Sequence, residues 1–134
     1  MSGEENSVIL RRAFIAATAG DADTFKAHID TLQHRGWDNF EYSITEALFI
    51  AVETIPAATP DSAALISQNV ADRFEGSLAI ARPMMEAVIR GAAGDGEIAQ
   101  GVPRNVALIY SLLVVGQLAH DGHVSIDDAL GIEA

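Results

Sequence analysis

Apolar residues recur three and four positions apart along nearly the whole chain, and alternating runs rich in β-branched residues are missing. A spacing of three and four follows the turn of an α-helix, whereas a strand needs a period of two, so these side chains are buried together by packing helix on helix. The pattern predicts an all-α fold. At 134 residues the chain has room for one hydrophobic core. The expectation is a single all-helical domain over residues 1–134, a compact bundle of five to seven helices that opens with a helical hairpin. No cysteine is present, which excludes disulfides, thiolate chemistry and Cys-ligated metal and leaves packing to hold the fold.

Turn and capping residues divide the pattern. Ser7 is expected to cap a first helix carrying Val8, Ile9, Leu10, Ala13, Phe14 and Ala17, which Gly20 ends. Asp21 or Asp23 opens a second helix, in which Phe25, Ile29 and Leu32 share a face and Gly36 marks the end. No second copy of this hairpin follows at a fixed period, which argues against a solenoid. After a linker from Trp37 to Tyr42, Ser43-Ile44-Thr45-Glu46 has the form of a capping box, in which serine and glutamate each satisfy a free backbone N–H. The third helix is predicted from there to Ile55, since the residue before Pro56 is pushed out of the α region. Pro60 suits the first position of a fourth helix reaching about Phe74. A break near Arg82 then precedes a fifth helix at Pro83. Four glycines between Gly91 and Pro103 predict a mobile loop, and Ser125 suits the cap of a short turn through Leu130.

Between that loop and that turn lies an apolar central helix near residues 104–119. From Val106 to Val115 it carries no charge. A membrane span needs about 20 apolar residues, and the stretch between Arg104 and His120 is shorter, so the expected place for this helix is the core. A small bundle seldom surrounds one helix completely, and on that ground a homodimer is expected to cover the remainder.

Charge narrows the function classes. Asp and Glu number 19 against 8 Lys and Arg, a formal charge of −11. Such a chain repels nucleic acid and anionic membrane and attracts cationic partners. The excess is segmental. Between Arg35 and Arg73 stand Asp38, Glu41, Glu46, Glu53, Asp61 and Asp72 with no base, and after Arg104 come Asp121, Asp127, Asp128 and Glu133 with none. The N-terminal stretch is acidic before Val8-Ile9-Leu10 and basic after it, the reverse of a signal peptide, which makes a cytoplasmic location the expectation.

On the third helix a period of 100° per residue places Ile44, Ala47, Leu48, Ala51 and Ile55 toward the core and Glu46 and Glu53 away from it, with Phe49 and Ile50 flanking the glutamates. Carboxylates beside an aromatic ring suit a basic protein partner, because charge steers the encounter and the ring supplies contact area that sheds water. The candidate partner-binding residues are Asp38, Glu41, Glu46, Phe49, Ile50 and Glu53. Against this stands the plainer expectation that Phe49 and Ile50 pack on neighbouring helices.

Other chemistry is weaker. His120, Asp121 and His123 are metal-capable, but their spacing is equally that of a helix end followed by a Gly turn. The stretch from Asp121 to Asp128 departs from a calcium loop, with Gln117 and Ala119 where acidic ligands belong. Gly91, Gly94, Gly96 and Gly101 match no phosphate-binding pattern, and Asp95 and Glu97 would repel phosphate. No Glu-x-x-His pair or nucleophile elbow occurs. No catalytic residue, cofactor or firm metal site is therefore assigned.

The expected function is that of an acidic protein-binding module, in its narrower form an immunity protein or antitoxin that neutralises a basic partner. One alternative is a small-molecule-binding or enzyme-accessory domain with a pocket near Trp37, Phe40, Tyr42 and Tyr110. The other is a metal-binding protein using the His120–His123 region.

Overall fold

The computed structural model describes residues 2–55, 60–94 and 101–130, and every regular element among them is helical. The helices are α1 (Ser2–Ala19), α2 (Ala22–Arg35), α3 (Glu41–Glu53), α4 (Pro60–Arg73), α5 (Arg82–Ala92), α6 (Arg104–His120) and α7 (Ile126–Ala129), with a 3-10 turn at Trp37–Asn39 leading into α3. The all-α bundle read from the periodicity is the fold.

The opening hairpin forms as its sequence dictates. Gly20 adopts φ +73°, a conformation that costs a glycine little. Its N–H reaches the Ala17 carbonyl at 3.3 Å while the Asp21 N–H reaches back to Ala16 at 3.0 Å, a Schellman stop. Asp21 then caps α2: its carboxylate accepts from the Thr24 N–H at 3.2 Å and from the Thr24 hydroxyl at 2.7 Å. Those two bonds hold the Asp21 pKa below its ordinary value. Phe25, Ile29 and Leu32 are buried, and Gly36 ends the helix with its N–H on the Leu32 carbonyl at 3.0 Å.

Two expected caps fail. α1 begins at Ser2, so Ser7 lies inside the helix rather than ahead of it. Ser43 lies inside α3, because Phe40, 1% exposed, anchors the chain in the core and its carbonyl accepts the Ile44 N–H at 3.0 Å, starting the helix a turn before the predicted box. α3 also stops sooner than Ile55, at Glu53, where the Thr54 hydroxyl donates to the Ala51 carbonyl at 2.6 Å. Gly91 and Ala92, assigned by sequence to a loop, complete the last turn of α5. The remainder of that expected loop through 95–100 lies outside the described residues, as do Pro56 and Thr59. Pro60, Pro83 and Ser125 stand at the helix starts expected of them, and the Ser125 hydroxyl accepts the Asp128 N–H at 3.1 Å.

α6 is the axis of the bundle. Every residue from Ser111 to Leu118 is buried, and α1, α3, α4, α5 and α7 all pack against it. That stretch is covered within one chain, while Val106, Ala107 and Ile109 nearer the start of the helix are half-buried. α1 crosses it at the closest point: a Cβ added to Gly116 would stand 2.6 Å from the Ala17 Cβ and 2.7 Å from the Ala17 carbonyl carbon. Only glycine permits that approach. Tyr110 fixes the other side, its hydroxyl accepting the Ala81 N–H at 2.9 Å just ahead of α5. No helix among the described residues is long and apolar enough to cross a membrane.

Candidate functional site

Arginines mark two polar sites in the bundle, and only one of them faces outward. Arg73, at the end of α4, donates through Nη2 to the carbonyls of Ala17 (3.0 Å) and Thr18 (2.5 Å) and through Nη1 to Gln117 Oε1 (2.9 Å). The Gln117 amide passes on to Asp121 at 3.0 and 3.1 Å. The guanidinium also lies 5.7 Å from the centroid of the Phe74 ring, within cation–π range. Burial lowers the Arg73 pKa, and attraction to Asp121 opposes that shift. These bonds are directed into the fold and join α1, α4 and α6.

Arg104, at the start of α6, lies in the open. Its side chain is 51% exposed, and it reaches Asp38 at 2.5 Å and also bonds Glu41. The bonds to Asp38 and then Glu41 raise its pKa above the ordinary value. The sequence places no base between Arg35 and Arg73, but the fold brings Arg104 of α6 to these two acids. Asp38 and Glu41 are therefore neutralised in part, and the unpaired charge of this surface sits further along α3.

That remaining charge forms a row. Tyr42 (78% exposed), Glu46, Phe49 (42% exposed) and Glu53 face solvent on α3 at steps of four, three and four, the spacing of a single helical stripe. Phe49 is thus surface rather than core, contrary to the plainer expectation, while Ile50 is half-buried beside it. The neighbouring Glu46 carboxylate raises the Tyr42 pKa by favouring the protonated hydroxyl. Neither Glu46 nor Glu53 is ion-paired among the described residues.

Beside the row runs a groove of about 240 Å³ between α3, α5 and α6. α3 lends Thr45, Leu48 and Phe49, α5 lends Val88, Gly91 and Ala92, and α6 lends Ala107, Leu108 and Ser111, with Glu41 and Arg104 at the mouth. Its cause is side-chain size: Gly91, Ala92, Ala107 and Ser111 are too small to fill the space between three helices. The Ser111 hydroxyl donates to the Ala107 carbonyl at 2.7 Å, so its proton is already used. A wider, shallow depression continues past Asp38 and Tyr42.

Of the residues expected around a pocket near Trp37, Phe40 and Tyr110 are buried in the core, while Tyr42 lines the shallow depression beside the groove. His120, Asp121 and His123 form the end of α6, where the Gly122 and His123 N–H groups close a Schellman stop on Ala119 (3.1 Å) and Leu118 (2.9 Å). Among the described residues no three metal-capable side chains converge. Asp127 of the acidic tail is held by Arg11 at 3.0 Å. Sequence reasoning placed Tyr42 at a small-molecule pocket rather than on the acidic row, and gave no site role to Thr45, Arg104 or the small residues of α5 and α6. Only Tyr42 carried a local signal, one turn before Glu46. Comparison with protein-family models, curated proteins and solved structures finds no match.

Proposed function

We propose that this chain is an acidic protein-binding module that docks a basic partner protein on the outer face of α3. The observation that carries the reading is the exposed row Tyr42, Glu46, Phe49 and Glu53. Two aromatic rings offer contact area that gains by losing water, and the carboxylates alternating with them select and steer a cationic surface. The chain's charge of −11 extends that steering to long range. In its narrower form the module is an immunity protein or antitoxin. The cationic cleft of an enzyme that binds polyanions is complementary to such a face.

The test is crosslinking in the native cell with the unaltered chain and with Glu46→Lys/Glu53→Lys. A basic protein captured by the first and lost with the second supports the proposal. Capture that survives charge reversal, or yields no basic protein, removes it.

A further inference from the structure

We infer that the groove between α3, α5 and α6 is the anchor pocket of this interface, and that it takes one apolar side chain from a basic amphipathic helix of the partner. The inference rests on the protein-binding reading and adds the form of the partner. Three observations lead to it. The groove opens beside Phe49, midway along the exposed row, with Glu46 three residues before and Glu53 four residues after. Seven residues at 1.5 Å rise separate the two carboxylates by about 10.5 Å along the axis. A partner helix with cationic residues three before and four after its anchor has the same span, so both charges meet a carboxylate when the anchor is seated.

The groove floor also accepts such an anchor without loss. Leu48, Val88 and Leu108 are apolar, and the hydroxyl of Ser111 has its proton on a backbone carbonyl, so an incoming leucine strands no buried donor. Polar groups stand at the mouth, where Arg104 bridges Glu41 and Asp38 in solvent. This is the arrangement of an apolar hot spot ringed by polar residues that exclude water. Helix-in-groove recognition uses anchors at the same spacings of three and four.

The test uses the whole chain and three synthetic helical peptides of about 20 residues, long enough to hold helix. The first carries one central leucine with lysines three before and four after it. The second replaces the leucine with alanine, and the third replaces the lysines with glutamates. The expected result is that the leucine peptide binds and shifts the methyl resonances of Leu48, Val88 and Leu108. The alanine peptide should bind about tenfold or more weakly, since a buried leucine is the difference, and the glutamate peptide should not bind. Ala107→Leu, which fills the groove from within, should reduce the leucine peptide to the level of the alanine peptide, with Trp37 fluorescence confirming the fold. Equal binding of the leucine and alanine peptides overturns the anchor pocket and leaves the acidic face standing. Absence of binding by either lysine peptide, or binding indifferent to Glu46→Lys/Glu53→Lys, overturns both. The peptide series on the unaltered chain decides the matter even if Ala107→Leu fails to fold.

Discussion

At its C-terminal end α6 meets α1 so closely that Gly116 has no room for a Cβ, and the polar groups there are committed to bonds between elements. At its N-terminal end Arg104 holds two carboxylates in solvent beside an unfilled groove. Both ends use an arginine, and burial separates their roles. Arg73, half-buried, ties the Ala17 and Thr18 carbonyls at the end of α1 to Gln117 of α6. Arg104 bridges groups that water would solvate equally well. One end sets how the helices cross, and the other is free to meet something outside the fold.

The contrast is most severely tested by adding atoms at each end. Gly116→Ala should cost about 2–3 kcal/mol, because α1 must move to admit the methyl group, and the drop will be seen as a lower denaturation midpoint. Arg73→Ala should cost about 2 kcal/mol through lost charge-assisted hydrogen bonds. Arg73→Lys should recover little of it, since an ammonium cannot fork to two carbonyls and Gln117 together. Ala107→Leu, a larger change than Gly116→Ala, should alter stability by less than about 1 kcal/mol because the groove has room for it. If Ala107→Leu destabilises as much as Gly116→Ala, the distinction between the ends collapses.

Smaller effects sharpen the picture. Arg104→Ala should leave the melting temperature near that of the unaltered chain, and the small difference should shrink further as salt is added, as for exposed ion pairs. The C-terminal end has a corresponding acid response at Asp21, next to the stop of α1. Its pKa is lowered in the folded state by the two bonds from Thr24. Between that lowered value and the unfolded value near 3.8, the unfolded chain binds the extra proton, so stability rises with pH there. The cap's contribution is complete above that window and is lost as pH falls through the folded pKa. Asp21→Asn should flatten this part of an acid unfolding curve, with little change at neutral pH.

The helical period made most of the fold legible before any coordinates. Asp21, Gly20, Gly36, Pro60 and Ser125 mark helix ends through backbone chemistry that acts over a few residues, and such signals are complete within the sequence. The Ser43–Glu46 box misled because a buried side chain, Phe40, set the start of α3, and burial is a property of the whole fold. The candidate site was legible by halves. The periodicity of α3 placed Glu46 and Glu53 outward, but Arg104 reaches Asp38 and Glu41 from a distant part of the chain, and no local pattern announces it. Nor does any single helix show the groove, which exists only where small residues of α5 and α6 face α3.

The crossing at Gly116 also bears on how the protein is made. Phe14 and Ala17 of α1 are fully buried, and Ala17 finds its cover at Gly116 of α6, near the other end of the described chain. During synthesis α2 follows at once and shields part of α1, but the side that rests on α6 stays bare until that helix has left the ribosome. A nascent chain in this state shows apolar surface until then. Folding around α6 is therefore a late event, and a chaperone that holds α1 in the interval would be protecting the most closely packed contact of the finished molecule.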